Sequence, residues 1–230
     1  MENKKEKLED FKTAISSTVR SLSNSQEIEI SFGNQAIKPS KNSIRLPDLE
    51  QGSNKLNYEK IRAIADSKSL NLRFSNNKTY IKYEPKGNIS KKLYKISEKI
   101  RCEKIGTSYF KGVKNNIETF YQERVNGLDL KSSEDKIVES FENYLRTKFL
   151  DFENNSQIDK KLKPYKKDLN EKFKDKIVQL NDFTLDQEKF NSLISELIAD
   201  MNLDENLDEE EKKDDEQNND DKQNQPNNQD

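Results

Sequence analysis

Apolar residues recur every three or four positions through most of this chain, and that spacing admits helices and little else. Its clearest instance is Phe190, Leu193, Ile194, Leu197, Ile198 and Met201, which share one face of a helix and should line a core. The same period predicts a first helix over about residues 5–23, from Phe11, Ala14, Ile15, Thr18, Val19 and Leu22. Tyr58, Ile61, Ala65 and Leu72 fit a second, favoured to about residue 73, although Leu70, Leu72 and Phe74 also alternate as a strand would. Ile89, Leu93, Ile96 and Ile100 define a third, for which Gly106 is a candidate left-handed C-terminal cap. Val113, Ile117, Phe120, Tyr121 and Val125 give another, stopped near Gly127. Ser132 can cap a helix carrying Ile137, Phe141, Leu145 and Phe149, with Asp135 in the reciprocal capping position. The next starts at Ser156 or Pro164 and carries Tyr165, Leu169, Phe173, Ile177 and Leu180. Thr184 with Gln187 reads as the capping box of the last.

Elsewhere the period changes. Ile28, Ile30 and Phe32 alternate with Glu27, Glu29 and Ser31, which predicts a half-buried strand ending at Gly33. Pro39 and Pro47 flank a loop around the apolar pair Ile44 and Leu46. Asn76-Asn77 marks a turn, after which Tyr80 to Tyr83 could be extended. The expected fold is mainly α: six to seven helices in one bundle-like domain over residues 1–203, with a small β element, then a disordered acidic tail.

That segment, residues 204–230, is expected as a disordered acidic linker or tail. It holds twelve Asp or Glu and three Lys, a charge of -9, and Leu207 is its one large aliphatic residue. It cannot bury enough surface to offset the entropy of ordering. Residues 1–203 carry +7, and a body of that size buries roughly 70% of the surface its unfolded chain exposes. Met1 to Asp10 is charged, unlike a signal peptide. No run approaches the ~18 apolar residues that span a bilayer. The lone Cys102 excludes an intramolecular disulfide. The expectation is a cytoplasmic protein with no membrane contact.

Absent residue types limit the chemistry further. The chain has no histidine, hence no imidazole for proton transfer near neutral pH or for metal binding. One cysteine without histidine rules out the usual thiolate–imidazole zinc sites within one chain, and also Ser-His-Asp and Cys-His constellations. None of the six glycines belongs to a phosphate-binding loop. No catalytic, cofactor-binding or metal-ligating residue is assigned. Glu98 and Arg101, three apart, can share a helix face, whereas Arg101 and Glu103 cannot. The reading favoured for Glu98–Arg101 is a solvent-facing ion pair, with an interface role next. Cys102 is expected as a small buried residue, and Tyr80, Tyr83, Tyr109 and Tyr121 as core or rim. Lysines are spread thinly, without a block of five, which favours a solvated surface over nucleic-acid binding.

Several short stretches, in order, resemble the N-terminal region of the T subunit of the aerobic, ATP-dependent cobaltochelatase. Phe11-Lys12 with Ala14, Thr18, Arg20 and Leu22 is followed by Glu29-Ile30-Ser31-Phe32, then Arg45-Leu46-Pro47. Arg62, Ala65-Asp66 and Leu70-Asn71-Leu72-Arg73 come next. The most specific segment runs from Glu98 through Arg101 and Glu103 to Gly106, and Gly112-Val113 and Asn116 continue it. The resemblance covers about residues 8–203. Ser108-Tyr109 stand where the family has basic residues, and Phe110 where it has Met. The family continues past its acidic linker into a von Willebrand A domain with an Asp-x-Ser-x-Ser metal loop, and no such loop occurs here.

The resemblance implies a docking subunit with no cofactor of its own. In the family an AAA+ S subunit hydrolyses ATP with Mg²⁺, and a large N subunit holds hydrogenobyrinic acid a,c-diamide and receives cobalt. T couples the two. Arg62, Asp66, Glu98, Arg101, Glu103, Gly106, Gly112 and Asn116 are the family-motif or interface candidates it implies. Two alternatives stand beside it: an adaptor of another AAA+ and von Willebrand A pair, or a polyanion-binding helical protein.

Overall fold

The computed structural model describes residues 2–33, 42–48, 55–128, 130, 132–153 and 156–203. The predicted tail, 204–230, lies outside them. Helices dominate: α1 (Glu2–Ser23), α2 (Lys55–Phe74), α3 (Asn77–Tyr83), α4 (Asn88–Tyr109), α5 (Lys111–Asn126), α6 (Ser133–Lys148), α7 (Ser156–Phe173), α8 (Lys176–Asp182) and α9 (Gln187–Ala199). Two four-residue strands, β1 (Glu29–Phe32) and β2 (Ser43–Leu46), pair in parallel, with Ile30 opposite Ile44 and Phe32 opposite Leu46. The sequence predicted β1 but left β2 as loop.

Two apolar clusters meet at α2. The smaller gathers Ile15 and Val19 of α1, Phe32 and Leu46 of the strands, and Ile61 and Ala65 of α2. The larger takes Leu70 of α2 and the inward residues of α4 to α9. Helix α4 runs through its middle, packed by α2, α5, α6 and α9. The α9 stripe is core as expected: Phe190, Leu193, Ile194, Leu197 and Ile198 are buried and Met201 is half-buried.

Three local expectations are corrected. Gly106 does not cap α4 but lies inside it, because a helix there can approach α2 closely. A Cβ at Gly106 would sit 2.3 Å from Leu70 Cδ2 and 2.8 Å from its Cγ. Tyr80 to Tyr83 are helical rather than extended, because Asn76 caps α3: its side-chain oxygen accepts from the N–H groups of Lys78 and Thr79 at 2.9 and 3.3 Å. Asp186, not Thr184, caps α9, accepting from Lys189 N–H at 3.1 Å. The Thr184 hydroxyl instead donates to Asn181 O at 2.8 Å, and Gln187 Oε1 accepts from Asn76 N–H at 2.7 Å. Ser132 caps α6 as read, through Asp135 N–H at 3.0 Å. The helix expected from Ser156 or Pro164 begins at Ser156 and divides after Phe173 into α7 and α8.

Gly33 closes β1 in the left-handed region (φ 64°), where a Cβ would lie 2.8 Å from Asp48 Cβ. Its N–H donates to Leu46 O at 2.8 Å, which carries the strand pairing one step further.

A buried charge network as the candidate functional site

Helix α4 carries two sets of ions into the interior on different faces. The first is Glu98 with Arg101, 2% and 1% exposed. Their contact is bidentate: Arg101 Nε donates to Glu98 Oε2 at 2.8 Å and Nη2 to Oε1 at 2.9 Å. The solvent-facing reading of this pair is therefore wrong. The spacing was right, but the guanidinium is drawn inward by two main-chain acceptors from distant segments. Nη1 donates to Thr184 O at 2.9 Å, before α9, and Nη2 to Phe74 O at 2.6 Å, the end of α2. Arg101 also lies over the Phe190 ring, 5.9 Å from its centroid. The pair thus ties three elements together, and its fork geometry suits that work better than a lysine would.

The second set begins at Glu103, fully buried on another face of α4, as its two-residue offset from Arg101 requires. Ser67 of α2 donates to its Oε1 at 2.5 Å, and Arg146 Nη1 of α6 to its Oε2 at 2.8 Å. Arg146 Nε also donates to Glu142 Oε1 at 2.9 Å, one helical turn back. Arg124 of α5 completes the chain, donating to Glu139 Oε2 and Glu142 Oε2 at 3.0 Å each. Tyr121 packs its ring 4.7 Å from the Arg146 guanidinium carbon. Sequence reasoning missed Arg124, Glu139, Glu142 and Arg146. The four-residue spacing of Glu142 and Arg146 was the available signal, but nothing local marks the pair as buried.

Burial and charge pull in opposite directions within this set. Burial raises the Glu142 carboxyl, but Arg146, Lys99 and Arg124 outweigh it and hold the group down at about 2. Burial lowers Arg146, yet Glu103 and Glu142 hold it more firmly protonated than usual. Glu139 is pushed up by burial despite Arg124. Burial and the Glu98 carboxylate raise the Cys102 thiol well above its ordinary range. This residue is buried, as expected, and poorly suited to nucleophilic work.

The remaining candidates hold α2, α4 and α5 together or face outward. Asn116 Nδ2 donates to Asp66 Oδ2 at 2.7 Å, joining α5 to α2. Burial raises the Asp66 carboxyl, against that bond and the Arg62 charge. Arg62 is exposed, and so is Gly112, where a Cβ would meet nothing within 4 Å. Among the tyrosines, Tyr121 is core and Tyr80 and Tyr83 are half-buried, but Tyr109 stands 68% exposed beside Phe110. The core-or-rim reading fails there because the rings sit at the elbow between α4 and α5.

Among the described residues, no three His, Cys, Asp or Glu side chains are grouped to hold a metal ion. Among them, too, no helix is long and apolar enough to cross a membrane. A concavity of about 630 Å³ is lined by polar residues including Glu118, Glu123 and Glu153. A smaller cleft of about 110 Å³ opens directly onto the second ion set, between Lys68, Lys99, Tyr121 and Arg124. What this arrangement can do is hold helices in register with ions that have few vacancies left for a ligand.

No solved structure matches the chain. The model of one family does, over residues 5–230: its description is "Cobalamin biosynthesis protein CobT".

Proposed function

Since the chain belongs to the CobT family of cobalamin biosynthesis proteins, we propose that it is a subunit of an ATP-dependent cobaltochelatase. It couples an AAA+ motor subunit to insertion of Co²⁺, the substrate ion, into hydrogenobyrinic acid a,c-diamide. Its role is docking, with ATP and Mg²⁺ handled by the motor and the corrin by a large N subunit. The observation that carries this reading is where the family-motif charges go. Arg101 bonds Glu98 and two main-chain carbonyls, and Glu103 bonds Ser67 and Arg146. Spent internally, they act as a frame, and recognition falls to the outward residues. Arg62 and Gly112 are the docking candidates, on α2 and on α5 beside the exposed Tyr109 and Phe110.

Retention of the full chain on the immobilised AAA+ subunit in low salt tests the reading. Binding is expected, weakened about tenfold by Arg62→Glu, the equivalent of ~1.4 kcal/mol. A clean failure of the unmodified chain to bind overturns it, as does ATP turnover by the purified chain alone.

A further inference from the structure

Lys68 stands apart from the other cations of the 110 Å³ cleft between α2, α4, α5 and α6. Arg124 and Arg146 are held by Glu139, Glu142 and Glu103, and Lys99 lies 3.9 Å from Glu103. Among the described residues, Lys68 has no carboxylate partner. Its ammonium donates instead to Arg45 O, a main-chain acceptor, at 2.7 Å. That bond ties the middle of α2 to β2. The residue is nonetheless exposed, so a reagent can reach Nζ.

The surroundings of this amine disfavour its charge. Burial of the side chain, and then the charges of Arg45 and Lys95, lower its proton affinity. Glu103 and Glu142, the carboxylates of the same cleft, are engaged by Ser67, Arg124 and Arg146. A lysine opposed by partial desolvation and by neighbouring cations becomes a nucleophile, because it is the neutral amine that attacks.

The cleft also fits the product of such an attack. Ala63, Ile64, Ile117 and Phe120 give it an apolar wall. Its 110 Å³ is ample for an acetyl group, since one water takes roughly 30 Å³. Conversion of the ammonium to an amide removes the disfavoured charge yet keeps one N–H for Arg45 O. The exposure of the residue leaves the new carbonyl hydrated.

We propose that Lys68 is an acylation site, which takes a short acyl group from a thioester and lays it against the apolar wall of the cleft. The neutral Nζ attacks the thioester carbonyl. The C–N bond forms and the C–S bond breaks, and the departing thiolate keeps the electron pair and takes up the proton that nitrogen releases. The chain then carries one positive charge fewer, with the tie between α2 and β2 intact. This inference does not depend on the cobaltochelatase reading.

The test uses the full chain and S-acetyl-N-acetylcysteamine, an uncharged thioester, so that attraction between charges plays no part. After brief exposure at neutral pH, peptide mass spectrometry compares Lys68 with Lys91 and Lys111, exposed lysines outside the cleft. Lys68 should be acetylated at least about threefold faster. Arg45→Gln/Lys95→Gln should cut that lead by about half. Both side chains are exposed, and the acceptor on Arg45 is its main-chain oxygen, which the substitution keeps. With an isotope-labelled acetyl group, the methyl should show nuclear Overhauser contacts to Ile64 or Phe120. Lys68 reacting no faster than Lys91 and Lys111, a lead unchanged in the double variant, or a methyl without contact to the apolar wall overturns the proposal.

Discussion

Arg146→Met puts the interior ions to the hardest test. Arg146 is 2% exposed and is the bridge between Glu103 and Glu142. Removing it leaves two carboxylates in the interior with fewer partners, and breaking a buried pair in this way typically costs about 3–5 kcal/mol. The depression of the Glu142 carboxyl by its cationic neighbours leads to a similar figure. The group sits at about 2 against an ordinary 4.5, and that difference corresponds to about 3 kcal/mol at neutral pH. In urea, with a slope of about 2 kcal/mol/M, the midpoint should fall by about 1.5 M. The pH dependence carries more information. In the parent chain the folded pKa is depressed, so the stability due to Glu142 is complete above pH 4.5 and lost as pH falls toward 2. In the variant, burial prevails and the folded pKa rises above the unfolded one, so stability recovers on acidification from neutrality. The gap between the two proteins should therefore narrow between pH 7 and 4.5. A loss under about 1 kcal/mol, or a gap indifferent to pH, would refute the claim that these ions are dry and mutually dependent.

Three further outcomes follow from geometry already described. Gly106→Ala should destabilise by about 1–3 kcal/mol in thermal melts, despite the better helix propensity of alanine, because its Cβ would lie 2.3 Å from Leu70 Cδ2; Leu70→Ala should recover part of that in the double variant. Asn191 is fully buried with neither amide atom hydrogen-bonded, so Asn191→Leu should raise stability by about 1 kcal/mol. Arg101→Met should speed hydrogen exchange around residues 184–187 and the end of α2, the two segments its guanidinium holds.

Much of this architecture was legible because helical periodicity records burial residue by residue. The α9 stripe and the Ser132 cap were readable for that reason. What was not legible depends on partners far along the chain. Four residues of β2 carry too little pattern to announce a parallel partner. Asn76 serves equally well in a turn or as a cap, and only the helix that follows decides. Gly106 resembles a terminator until Leu70 is known to lie against it. The spacing of Glu98 and Arg101 disclosed a pair, but its burial is set by acceptors 27 and 83 residues away.

That last separation has a consequence during synthesis. Arg101 cannot complete its bonds until Thr184 has been made, 83 residues later. At ribosomal speeds of about 5–20 residues per second, the delay is about 4–17 s. Through that interval Glu98 and Arg101 must stay hydrated, and the nascent chain has reason to keep one side of its central helix open until Thr184 and α9 arrive.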